Sequence, residues 1–271
     1  MSTQILELPF KVTKDKQTIF ADVHIPSSAS TSKQTLPILV WWHGGGLLQG
    51  TRKGTAPHLQ NAPEKHNIIV VSADYRLAPQ VRMPEILSDA GDVLEWIQSK
   101  EFSEKTNNKA DQNKVFVSGS SAGGWLAFLT ASGLGYKECG LNPPPKPFGC
   151  IAIYPISDLK DSFWNTKQHP VTYFPRVIDG EKELGENLDP KSNILTSSAL
   201  DAPRAVFYHY MIQDIDDKVP PRQATDVYEA AKAKGFKDIE IIIEEGKDHL
   251  YDRDAKEDMA SMYAFLAKYA A

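Results

Sequence analysis

Residues 119–123 read Gly-Ser-Ser-Ala-Gly, which puts Ser121 at the centre of a G-x-S-x-G motif. A serine hydroxyl attacks a carbonyl carbon only if it stands clear of its neighbours and can lose its proton. The spacing meets the first need. Small residues on either side let a helix fold back tightly on the strand before it, so the serine projects from a sharp turn. The context agrees, because 114–118 has an apolar strand pattern and 125–131 a helical one. Ser121 is thus a candidate nucleophile above a sheet edge, with a helix amino terminus beneath it. A glycine-rich connection without chemistry is the plain alternative, and a second cluster weighs against it. His43-Gly44-Gly45-Gly46 directly follows the apolar run Leu36–Trp42. Consecutive glycines bring backbone N–H groups close to a ligand because no Cβ intervenes. The N–H groups of Gly44, Gly45 and Ala122 make a candidate oxyanion hole, stabilising charge as it develops on a carbonyl oxygen. A phosphate cradle is disfavoured: no Lys-Ser/Thr follows at P-loop spacing and no G-x-G-x-x-G completes.

These groups need a scaffold, and the rest of the chain patterns as one. Runs 5–12 and 18–25 read as strands joined by a polar turn at 13–17, followed by a Ser/Thr loop at 27–35. Runs 36–42, 67–73 and 114–118 are apolar without alternation, the mark of strands covered on both faces in a parallel sheet. Further strands are expected at 148–154, 204–210 and 238–244. Ile86, Leu87, Ala90, Val93, Leu94 and Ile97 form a helical stripe over 84–100, with Pro84 in the first turn. Two more helices are expected at 221–234, closed by Gly235, and at 254–269. This alternation, without internal repeats, predicts one doubly wound α/β domain over 1–271 with a mostly parallel eight-stranded sheet. The 45 residues 156–200 carry no clear core strand. Their aromatics Phe163, Trp164, Tyr173 and Phe174 favour a lid over a disordered insertion.

Composition narrows the class further. With 271 residues, a net charge of −5, 41% hydrophobic and 24% charged residues, the chain matches an average globular protein. No basic run exists to meet a nucleic acid, and the longest apolar stretches, 38–42 and 68–71, fall far below a bilayer span. No basic n-region with an apolar core opens the chain, so a secretory signal is not expected. Cys139 and Cys150 flank the stiff Pro-rich run 143–147, too few thiols for a disulfide framework or a metal site. The expected setting is the cytoplasm, with no cofactor or metal.

Taken together, the motifs resemble the hormone-sensitive-lipase-like carboxylesterase group of the α/β-hydrolases. Asp74-Tyr75-Arg76-Leu77-Ala78-Pro79 repeats that group's D-Y-R-L-A-P segment, Pro84, Asp89 and Trp96 fall in its following helix, and Tyr154-Pro155 matches its Y-P. The resemblance covers roughly 36–250 and implies a serine esterase with a Ser, Asp, His order of triad residues along the chain. His43 precedes Ser121, so it orients its loop and is not the base; His24, His58 and His66 are excluded likewise. His169 falls in the expected lid and His209 at an expected strand end. His249, in Gly246-Lys247-Asp248-His249 after the last expected strand, remains as the base. Asp214, Asp216 and Asp217 are candidate acids in one loop, and Asp216-Asp217-Lys218-Val219-Pro220 resembles the D-x-x-V-P of dienelactone-hydrolase-like enzymes, which selects Asp216. Trp125 and Tyr154 are candidate substrate contacts, although an aromatic at a helix start is as often core. Asp74 and Arg76 read as structural ion-pair residues.

Three departures stand out. Ser120 occupies the position where the group has Asp, so a local carboxylate contact is missing. The acid motif D-P-L-x-D is absent, and only 35 residues precede Leu36, so 156–200 must cover the site in place of an amino-terminal cap. The expected reaction is hydrolysis of a small carboxylic ester or lactone through an acyl-enzyme, by a monomer or homodimer. Rival readings are a thioester, amide or C–C hydrolase, an acyl transferase or lyase on the same triad, and a non-catalytic small-molecule receptor.

Overall fold

The computed structural model describes residues 3–30, 34–162, 176–199, 201–212 and 221–270. An antiparallel pair, β1 (Gln4–Val12) and β2 (Thr18–Ile25), opens the chain, its turn closed by the Thr13 N–H donating to Gln17 O at 2.8 Å. Then follow β3 (Leu36–Trp42), α1 (Pro57–His66), β4 (Ile69–Ala73) and α2 (Met83–Ile97). Next come α3 (Lys100–Lys105), β5 (Ala110–Ser120), α4 (Ala122–Ser132) and β6 (Gly149–Ile153). Four helices complete the described chain: α5 (Gly180–Leu184), α6 (Phe207–Ile212), α7 (Arg222–Ala233) and α8 (Ala260–Ala270).

The sheet order is β1-β2-β4-β3-β5-β6. β3 pairs in parallel with β4 and β5, and β5 in parallel with β6, while β2 pairs antiparallel with both β1 and β4. β3 explains the unbroken apolar patterns. Ile38, Val40 and Trp42 join one cluster with Leu94, Ile97 and Leu126, while Leu39 and Trp41 join another with Leu59, Met262, Tyr263 and Leu266. Alternate side chains are buried on opposite faces, so no position can be polar.

The expected helix 84–100 divides in two. Ser99 accepts a hydrogen bond from the Phe102 N–H at 3.1 Å and caps a fresh start for α3. A larger correction concerns strand number: among the described residues the sheet has six strands, not eight. Segment 204–210 is helical, a 3₁₀ turn Pro203–Val206 running on into α6. Arg204 is buried and donates to the carbonyls of Leu48 and Ala78 and to Gln80 Oε1, which draws this segment toward the loop after β3 and not onto β6. Phe207 packs there with Leu48 and Leu184. Segment 238–244 then has no neighbouring strand to join; it is irregular, with Ile242 and Ile243 exposed. The last helix starts at Ala260, because Tyr251–Arg253 forms a separate 3₁₀ turn. No helix among the described residues is long and apolar enough to cross a membrane.

Candidate active site

β5 ends at Ser120 and α4 begins at Ala122, so Ser121 alone makes the turn, at φ 55° and ψ −117°. A positive φ on a residue with a Cβ is strained and persists only where the surroundings impose it. Here the Ser121 N–H donates to Ile153 O at 2.9 Å, and Ser121 O accepts from the Trp125 N–H at 3.1 Å. The flanking glycines permit the close approach. A Cβ on Gly119 would lie 2.2 Å from Gly123 O, and one on Gly123 would lie 2.0 Å from Trp42 O. This is the strand–turn–helix geometry that the motif predicts.

The glycine loop after β3 lies directly against this turn. An added Cβ on Gly44 would sit 2.9 Å from Ser120 O and 3.3 Å from Ser121 Cβ. Gly45 and Gly46 take φ 105° and 63°, and the Leu48 N–H donates to Gly45 O at 3.0 Å, which curls the loop. Among the described residues, neither the Gly44 nor the Gly45 N–H donates to a backbone carbonyl. The Ala122 N–H, at the first position of α4, belongs to the helix-terminal donors that lack an intrahelical partner. His43 holds the loop, as expected of it: its ring stacks on Tyr75 at 4.3 Å, its Nδ1 donates to Gly44 O at 2.9 Å, and Tyr75 OH donates to His43 O. Burial pushes the His43 imidazole down to about 4, against the raising effect of the Gly44 carbonyl, so it is neutral near pH 7.

His249 follows the irregular segment, and its ring packs on the Tyr154 ring at 4.4 Å. Tyr154 directly follows β6, beside Ile153 that holds Ser121, and has φ 35°. Its hydroxyl bonds the Asp252 carboxylate, which also accepts from Ser120 Oγ at 3.1 Å. His58 Nε2 faces the same carboxylate at 3.7 Å, too long for a direct hydrogen bond. Burial works to raise the Asp252 carboxyl, but His58, Tyr154 and Ser120 around it outweigh burial and hold it below the usual carboxylate range. Burial, then the Asp252 charge, pushes the Tyr154 phenol well up, so it is a hydrogen-bond donor at any working pH.

The other expected site residues divide. Asp214, Asp216 and Asp217 lie outside the described residues, as do Phe163, Trp164, His169, Tyr173 and Phe174 of the expected lid. Trp125 is half-buried and packs against the larger core cluster. Asp74 and Arg76 are both ion-paired, with other partners: Asp74 with Arg52, and Arg76 with Asp89 through Nε and Nη2, each at 2.8 Å. Sequence reasoning missed Asp252 and the role of His58. Ser120 in place of a carboxylate was the one available signal.

A model of a family described as alpha/beta hydrolase fold matches residues 39–249. The chain belongs to this family. Among curated relatives, the α/β-hydrolase is 38% identical over 112 residues to "Carboxylesterase 20" of Arabidopsis thaliana, 39% of this chain and 34% of that protein. It is 26% identical over 270 residues to "2-hydroxyisoflavanone dehydratase" of Glycyrrhiza echinata, 89% of this chain and 77% of that protein. The chain spans about a third or less of the length of the first curated relatives it matches. An esterase from the archaeon Pyrobaculum calidifontis matches it in fold with a TM-score of 0.61 and 18% identity, over 100% of this chain and 86% of that one.

Proposed function

We propose that this α/β-hydrolase cleaves a carboxylic ester or lactone through an acyl-enzyme on Ser121. The observation that carries the reading is the strained Ser121 turn pressed against Gly44 of the glycine loop, at the amino end of α4. Ser121 Oγ attacks the substrate carbonyl while its proton passes to His249, and the N–H groups of Gly44, Gly45 and Ala122 stabilise the oxyanion. The C–O bond then breaks, His249 returns the proton to the departing alkoxide, and water repeats the sequence to release the acid. Asp216 orients the His249 ring, and Tyr154 and Trp125 border the acyl group. The segment 156–200 covers the site as a lid on a single domain, and its aromatics favour a small to medium apolar or aryl ester. The protein acts in the cytoplasm as a monomer or homodimer. The carboxylesterase relative supports this reading.

The dehydratase relative, matched over most of both chains, favours a second reading: an elimination on the same scaffold. A panel of nitrophenyl esters of increasing acyl length separates the two. Turnover that falls with Ser121→Ala and peaks at one chain length supports the esterase. No ester turnover by folded protein, with turnover of a β-hydroxyketone to its enone, supports the dehydratase.

A further inference from the structure

The turn that carries His249 has other ties besides the ring contact with Tyr154, two of which reach distant elements. Arg253 Nη2 donates to Gly54 O at 3.0 Å, and Asp252 accepts from Ser120 Oγ at the end of β5. Asp252 is 1% exposed, and every polar neighbour named above converges on it from a different element. Ser120 ends β5, Tyr154 follows β6, and His58 belongs to α1, where its Nδ1 meets Tyr263 OH of α8 at 3.0 Å. One carboxylate thus joins the residue before the nucleophile to the aromatic ring that supports the base. A carboxylate this far from solvent is costly unless its hydrogen bonds are filled. A structural charge would need no such link to both halves of the site.

We infer that Asp252 is a positioning residue, holding the His249 turn and the Tyr154 ring in register with Ser121. It supplies from the base's own turn the carboxylate that position 120 lacks. Ser120 and Tyr154 both donate to it, one to each carboxylate oxygen. Asp252→Asn offers one acceptor and one donor, so one of the two hydroxyls must turn and leave its own proton unpaired, and both charge-assisted bonds weaken. The ties that hold the turn weaken, and His249 shifts relative to Ser121. Misplacing a catalytic group by an ångström lowers rate on the order of 10²-fold, without touching substrate contacts.

This inference rests on the proposed hydrolase reading, and the test keeps the two apart. Ester kinetics, thermal melting and fluorophosphonate labelling are measured on wild type, Asp252→Asn, Ser120→Asp and the exchange Ser120→Asp/Asp252→Ser. The expected result for Asp252→Asn is a kcat lowered on the order of 10–10²-fold with KM within about twofold, in protein that still melts cooperatively. Ser120→Asp sets a second carboxylate against Asp252 and should also lower kcat. The exchange keeps a single carboxylate in the same pocket and should recover most of the loss, even if Asp252→Asn itself folds poorly. Unchanged kcat in folded Asp252→Asn overturns the positioning role, as does an exchange no better than Ser120→Asp alone. A wild type that neither turns over esters nor labels at Ser121 overturns the hydrolase reading instead.

Discussion

Substituting Gly44 by Ala probes the proposed oxyanion loop with little else disturbed. Gly44 does not have a left-handed φ, so alanine fits its backbone. The new Cβ would meet Ser120 O at 2.9 Å, where ordinary contact begins near 3.4 Å, so the loop must withdraw by about half an ångström. That withdrawal carries the Gly44 and Gly45 N–H groups away from the place where the oxyanion forms. Removal of one oxyanion donor lowers kcat by about 10²–10³-fold; partial withdrawal of two should fall at the lower end, about 10²-fold or about 2.7 kcal/mol. KM should change by less than about threefold, because these donors act on charge that exists only in the transition state. The assay is steady-state hydrolysis of a nitrophenyl ester, with melting temperature in parallel. Gly45→Ala serves as contrast: at φ 105° its Cβ would lie 2.4 Å from Gln49 O, so stability should fall before activity can be measured. A Gly44→Ala enzyme with wild-type kcat and an unchanged melting temperature would refute the assignment of this loop.

Three further outcomes are expected. Gly123→Ala drives a Cβ to 2.0 Å from Trp42 O, a collision with backbone, and should yield protein that does not fold cooperatively in a thermal melt. His43 titrates near 4 in the folded chain and near 6.5 unfolded, so the unfolded state binds the extra proton between those values. Stability is therefore full above pH 6.5 and falls toward pH 4 by about 3 kcal/mol from this group alone; urea midpoints for wild type and His43→Asn across that range check it, the variant showing the smaller loss. Asp216→Asn should lower kcat by about 10³–10⁴-fold through the wrong His249 tautomer, whereas Asp214→Asn and Asp217→Asn should stay within about tenfold of wild type. Kinetics of the three variants side by side decide which carboxylate is the acid.

The core of the fold was legible because burial on both faces leaves a plain mark. Ile38 to Trp42, Ile69 to Ala73 and Val115 to Val117 carry no polar residue at alternate positions except where a backbone carbonyl meets it, as at Ser72, whose hydroxyl donates to Arg52 O. The Ser121 turn and the glycine loop were legible for a different reason: their geometry excludes a Cβ at fixed positions, and glycine spacing records that. The segments 204–210 and 238–244 misled because a short run rich in apolar and aromatic residues forms a strand only when a neighbouring strand is there to pair with. Arg204 found its acceptors on Leu48 and Ala78, far along the chain, and no local pattern announces that. Asp252 was hidden for the same reason. Its partners Ser120, Tyr154 and His58 come from three distant elements, so it reads in sequence as one more acidic residue in a charged stretch.

The central claim is that Ser121 forms a covalent acyl-enzyme, and peptide mapping after fluorophosphonate treatment tests it most directly. The predicted result is one stoichiometric adduct on Ser121, absent from Ser121→Ala, with ester turnover lost in step with labelling. An adduct on Ser118 or Ser120, or ester turnover that persists in Ser121→Ala, would contradict the account.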